Sequence, residues 1–153
     1  MANTYTQIHI QAIFAVKHRE ALIAPSWEGR LYQYLKKILE NEGHHPIIIN
    51  GVSNHVHVFF GQNPDQSIAK CMQIIKGNSS RWINKMGFCE QKFAWQTGYG
   101  AFSYGYSQRE DVYTYVANQK EHHRNRSFVE EYQTFLTKFN VPFEAEYLLE
   151  DVS

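Results

Sequence analysis

Cysteine is scarce in this sequence: two in 153 residues, Cys71 and Cys89. Two thiols without a second pair make neither a disulfide framework nor a zinc signature, so both are read as free, packed side chains. No apolar run approaches the roughly 20 residues that a membrane-spanning helix needs, which excludes a membrane partner from the expectations. The opening MANTYTQIHI has none of the basic, apolar and small-residue zones of a secretory signal, and the cytoplasm is the expected compartment. Repeats, low-complexity tracts and linkers are also missing. With 43% hydrophobic and 15% aromatic residues, the chain has the means to bury one core, and residues 1–153 are read as a single domain.

An excess of charge is lacking too, since the formal net charge is zero. That counts against a nucleic-acid partner, because phosphate binding rests on surplus Lys and Arg. The distribution reverses the inference. Residues 1–126 carry 14 basic against 9 acidic side chains, and residues 127–153 carry 1 against 6. No acid at all lies between Gln66 and Cys89, the stretch that holds Lys70, Lys76, Arg81 and Lys85. These four are the candidate contacts to a DNA backbone; charge alone leaves a plain solvated helix face equally open.

What is present reads as an ordered run of elements. Ile8, Ile10, Ala12, Phe14 and Val16 alternate with Gln7, His9 and Gln11, the period of a half-buried strand. From Ser26 to Gly43, the residues Trp27, Leu31, Leu35, Ile38 and Leu39 recur at helical spacing, with Ser26 as N-cap and Gly43 as terminator. PIIINGVSNHVHVFFG reads as a hairpin turning between Asn50 and Asn54. Asn63 and Pro64 mark the next helix start, with Ile68, Met72, Ile75, Trp82 and Met86 as its apolar stripe. Gly77 in that helix costs stability, and close approach to a backbone or a phosphate would explain it. Phe102, Tyr104 and Tyr106 mark a fourth strand. Two capping boxes, Ser107 with Glu110 and Ser127 with Glu130, then open two further helices. The order predicts an α+β fold: a ferredoxin-like β-α-β-β-α-β antiparallel sheet with helices packed against it and additional C-terminal helices.

Two groups of residues carry candidate chemistry. His55 and His57 are two apart on a strand, so both imidazoles leave one face and can grip one cation; the HxH pattern by itself does not separate ligands from packed histidines. Tyr115 and Gln119 are four apart in the helix expected after Ser107, with Asp111 a turn before and His122 nearly a turn after. Val112 and Val116 supply that helix's apolar side, which leaves Tyr115 free to face a cleft. Buried packing is the competing reading of a tyrosine in a chain with ten of them. Trp95, Tyr99 and Phe102 are open to both core packing and base stacking. His9, His18, His44, His45, His122 and His123 are read as structural or surface groups. His122 is the one placed to accept a proton or touch phosphate.

HVHVFF, the KGNSSR segment, WQTGYGAFS, YVANQKEHHR and the ending VPFEAEYLL together resemble the single-tyrosine transposases of the HUH endonuclease superfamily. That group is typified by insertion-sequence 200/605 elements and includes the transposases associated with repetitive extragenic palindromes. By position, the resemblance implies that His55, His57 and Gln119 bind a divalent metal, Mg2+ or Mn2+, and that Tyr115 is the catalytic nucleophile. It implies cleavage and rejoining of hairpin-bearing single-stranded DNA through a 5′-phosphotyrosine intermediate, in a bacterial cytoplasm and on chromosomal DNA. Two imidazoles and an amide oxygen are softer donors than magnesium prefers, so manganese should serve at least as well. One nucleophile per chain and two DNA ends to process predict a homodimer. The resemblance further implies that the helix bearing Tyr115 can complete a site in the other subunit, with Gly98, Gly100 and Gly105 allowing the movement. Two alternatives remain from other classes: a domesticated nuclease acting on palindromic repeats without transposition, and a catalytically silent DNA-binding module.

Overall fold

The computed structural model describes residues 4–144, so the last residues of the VPFEAEYLL segment lie outside the described part. Four strands, β1 (His9–Ala15), β2 (His45–Val52), β3 (His55–Gly61) and β4 (Gly100–Tyr104), form one antiparallel sheet in the order β2-β3-β1-β4. Helix α1 (Pro25–Asn41) links β1 to β2, and α2 (Ile68–Met86) links β3 to β4. Three helices follow, α3 (Arg109–Ala117), α4 (Gln119–His122) and α5 (Phe128–Lys138). This is the expected ferredoxin-like order with a C-terminal extension.

Strand β1 is the centre of the sheet, pairing β3 on one side and β4 on the other. Its alternation suggests one wet face, yet all seven residues are buried. The reason is the C-terminal extension, which covers the second face. Ile10, Ala12, Phe14 and Val16 pack with Val56, Val58 and Phe60 into the core shared with α1 and α2. Ile13 and Ala15 point the other way, into a cluster with Phe102, Phe128, Phe135 and Leu136. Leu31, Leu35 and Leu39 of α1 are fully buried, each worth about 1.5–3 kcal/mol of transfer free energy.

Helix boundaries differ from expectation where prolines and caps compete. Pro25 takes the first position of α1, which moves the N-cap to Ala24 and places Ser26 inside the first turn. Gly43, in the left-handed region at φ 82°, follows that helix as expected. Asn63 and Pro64 form a turn, and α2 starts only at Ile68, capped by the Ser67 hydroxyl accepting from Lys70 N–H at 3.0 Å. A 3-10 turn over Tyr106–Gln108 precedes α3, with Gln108 Oε1 accepting from Gly105 N–H at 2.9 Å, so Ser107 caps nothing. The Ser127–Glu130 box is present in both directions, at 3.2 and 3.1 Å. Gly77 comes close to no other backbone among the described residues; the first atom a Cβ there would meet is Arg81 Nη1 at 3.5 Å.

Candidate active site

The hairpin register decides which residues meet. His57 pairs with Ile13 and His55 with Ala15, so both imidazoles leave the sheet on the face covered by α3, α4 and α5. Both are fully buried. Each ring is oriented from behind by an amide oxygen: His55 Nδ1 lies 2.8 Å from Asn54 Oδ1, and His57 Nδ1 lies 2.6 Å from Gln11 Oε1. The nitrogen end of Gln11 donates to Tyr104 Oη at 2.9 Å. An amide oxygen only accepts, so each Nδ1 carries the proton and each Nε2 presents a lone pair. Burial acts in the same direction, lowering His55 to about 4 and His57 below the ordinary histidine value.

Those lone pairs face the carboxylate of Glu131, on α5. Its Oε1 lies 3.2 Å from His55 Nε2, 3.1 Å from His57 Nε2 and 2.8 Å from His123 Nε2. His55 Nε2 nevertheless has no hydrogen-bond partner, although it is fully buried. The second oxygen, Oε2, accepts from the Tyr115 hydroxyl and, at 3.0 Å, from Gln119 Nε2. Burial alone would push Glu131 up; the hydrogen bond with His123 Nε2 leads the contacts that hold it ionised and below the usual carboxylate range. His55, His57, His123 and Glu131 each offer a ligand atom, all within 4.8 Å of one another.

Tyr115 is half-buried, and burial followed by the Glu131 hydrogen bond raises its hydroxyl above the ordinary tyrosine value. Val112 and Val116 are buried beside Phe59, as their spacing predicts. The Tyr115 ring stands 6.0 Å from His57 and stacks on His122 at 4.5 Å and 23°. The expected single helix through Tyr115 and Gln119 is broken after Ala117. Asn50 Nδ2 donates to the Val116 and Ala117 carbonyls at 3.0 and 3.1 Å, closing α3 against β2. Gln119 then opens α4, fully buried, with its Oε1 unpartnered. All four residues singled out by the resemblance therefore meet within one chain, and this arrangement requires no exchange of α3 between subunits.

A cleft of about 300 Å³ opens on Tyr115 and Glu131, with Gln11, Asp111, Arg126 and Lys138 also on its walls. The sequence-derived basic set is placed elsewhere, on α2, which packs on the opposite face of the sheet. Lys70, Arg81 and Lys85 are exposed there. Lys76 differs: its ammonium donates to the carbonyls of Gln96 and Gly98 at 2.9 and 2.6 Å, and burial lowers it to about 8. Trp95 and Phe102 are core residues, while Tyr99 is 37% exposed. Gly100 has a packing role. A Cβ there would lie 2.6 Å from the Tyr132 ring, so it is glycine because α5 presses on β4.

The sequence reading missed three contributors. Gln11 falls on the polar alternation of β1, His123 among the histidines read as structural or surface groups, and Glu131 in the acidic stretch 127–153. A signal for Glu131 was present. It shares the buried stripe of α5 with Phe128 and Phe135, and a carboxylate at i+3 from one buried aromatic and i−4 from the next is anomalous unless something pairs it.

Comparisons with known proteins come from three directions. A family model described as transposase, IS200-like, matches residues 4–119. Among solved structures, a proposed transposase of Deinococcus radiodurans R1 superposes with a TM-score of 0.62 at 20% identity, over 78% of this chain and 96% of that one. A REP-associated tyrosine transposase bound to a REP hairpin gives a TM-score of 0.54 at 9% identity, over 96% of this chain and 78% of that one. At these identities the two structures share the fold. Comparison with curated proteins gives no match.

Proposed function

The chain belongs to the IS200-like transposase family, and from that premise we propose that it cuts and rejoins single-stranded DNA through Tyr115, with a divalent ion held by His55, His57 and Gln119. The observation that carries the reading is the convergence of the Tyr115 hydroxyl and the two imidazoles on one carboxylate beside an open cleft.

The donor set fits a cation. Two buried Nε2 lone pairs and one carboxylate oxygen crowd together, and a fully buried amide oxygen, Gln119 Oε1, has no partner. Such a concentration of acceptors is unfavourable without positive charge among them. When bound, a divalent ion supplies Lewis acidity toward the non-bridging oxygens of the scissile phosphate; Mn2+ suits imidazole donors at least as well as Mg2+.

The chain's own groups do the rest. Tyr115 enters as a phenol rather than a phenolate, because burial and Glu131 both raise its pKa. Its proton therefore leaves during attack, and Glu131 Oε2 is the acceptor already in contact with it. A bond forms between Tyr115 Oη and phosphorus, the bond from phosphorus to the 3′ oxygen breaks, and that oxygen leaves as a free 3′-hydroxyl after taking a proton. The 5′-phosphotyrosine that remains can be attacked by another 3′-hydroxyl, which restores Tyr115 and joins new ends without ATP. Arg126 and Lys138 on the cleft wall, and Lys70, Arg81 and Lys85 on α2, are the proposed contacts to the DNA backbone. Lys76 is excluded from that set because its ammonium holds the Gln96–Gly98 loop.

The proposed substrate is a DNA hairpin with a single-stranded flank, as in the hairpin-bound structural neighbour. The proposed assembly is a homodimer, since two ends must be processed with one nucleophile per chain; sedimentation at working concentration tests it, and a monomer that still joins two ends rejects it. Incubating the protein with single-stranded oligonucleotides from the flanks of its own gene, with Mn2+, should give a denaturant-resistant protein–DNA adduct. A domesticated nuclease would give the same adduct, but its gene would lack paired flanking hairpins. A silent binding module would give retention without an adduct.

A further inference from the structure

We infer that Glu131 and His123 are ligands of the same divalent ion, so that the site is a cluster of three imidazoles and one carboxylate rather than a histidine pair completed by an amide alone. The inference rests on the metal-dependent reading above and adds to it two residues from outside the helix that bears Tyr115.

The spacing is the first argument. Ligand atoms about 2.1 Å from one ion, at right angles, stand about 3.0 Å apart. Glu131 Oε1 lies 3.2, 3.1 and 2.8 Å from the Nε2 atoms of His55, His57 and His123. Those are edge lengths of a coordination shell. The His57 and His123 contacts are also of hydrogen-bond length, whereas His55 Nε2, fully buried and 3.2 Å from the carboxylate, forms no hydrogen bond.

Placement is the second argument. Glu131 occupies a position on α5 that packing alone would give to an apolar residue, between Phe128 and Phe135. A buried carboxylate is costly unless paired. Its second oxygen is already committed to Tyr115 and Gln119, which leaves Oε1 for the ion. One carboxylate then links the ion to the nucleophile, and Gln119 holds that carboxylate in place through its amide N–H.

The test is Mn2+ binding to full-length protein without DNA, followed by titration calorimetry and by the electron paramagnetic resonance of free Mn2+. Wild type should bind one ion per chain. Glu131→Ala and the near-isosteric Glu131→Gln should each weaken binding by more than about a hundredfold, beyond the roughly 10–100-fold that loss of an outer-shell partner costs, and His123→Ala should weaken it in the same direction. Circular dichroism melts check that each variant is folded. If Glu131→Ala does not fold, Glu131→Gln and infrared difference spectroscopy on wild type still decide: a ligating carboxylate shifts its stretching bands when Mn2+ is added. Unchanged or tighter Mn2+ binding in folded Glu131 variants, or carboxylate bands that do not move, would overturn the inference, because Glu131 would then merely occupy the site and be displaced. Wild type that binds no Mn2+ would instead reject the metal-dependent reading itself.

Discussion

Replacing Gln11 with alanine tests whether the site is oriented from behind as described. Gln11 is 1% exposed, accepts from His57 Nδ1 at 2.6 Å and donates to Tyr104 at 2.9 Å. Without it, a buried N–H has no acceptor, which costs about 1–3 kcal/mol. For a chain of this size that is a fall in melting temperature of roughly 3–9 °C. The second effect is on the ring itself. With nothing to hold the proton on Nδ1, His57 is free to turn and to present N–H where a lone pair is needed, and loss of such an outer-shell partner typically lowers metal affinity by about 10–100-fold. Gln11→Glu should behave differently, because a carboxylate still accepts from Nδ1 and can accept from the Tyr104 hydroxyl in turn. Calorimetric Mn2+ titration beside thermal melts reads both quantities. A folded Gln11→Ala protein that binds Mn2+ as tightly as wild type would refute the assignment of His57 Nε2 as the ligating atom.

His57→Ala should abolish cleavage, and excess chelator should reproduce that in wild type; full cleavage in chelator contradicts any role for a metal. Mixing Tyr115→Phe with His57→Ala chains should yield no adduct, since Tyr115 meets His57 within one chain, whereas adduct from the mixture would show that subunits exchange α3. Gly100→Ala should destabilise the fold by about 1–3 kcal/mol, read by urea melts, because the added methyl meets the Tyr132 ring; an unchanged midpoint would mean that α5 does not press on β4.

Most of the scaffold was legible because local pattern and final burial agree. The apolar repeat of α1, the turn before β3 and the Ser127–Glu130 box each depend on residues a few positions apart. His55 and His57 were legible for the same reason: a period of two fixes a shared face whatever the neighbours. The errors arose where a distant element decides. Gln11 looks solvent-facing until α3 to α5 cover that side of β1, and Glu131 looks like part of an acidic tail until its helix is laid over the imidazoles. Asn50, 66 positions before Val116, ends α3 earlier than the continuous polar stripe suggests. Lys76 reads as a phosphate contact until the loop after α2 returns its carbonyls to it.

The central claim is that Tyr115 joins covalently to DNA, and one paired measurement reaches it. Wild type and Tyr115→Phe are incubated with Mn2+ and a hairpin oligonucleotide carrying a single-stranded flank, labelled on the 3′ side of the cut, and resolved under denaturing conditions. The account predicts a labelled adduct for wild type and none for Tyr115→Phe, with hairpin retention equal for both, because the change removes one oxygen and no charge. An undiminished adduct from Tyr115→Phe would place the nucleophile elsewhere, with the exposed Tyr113 the next residue to change.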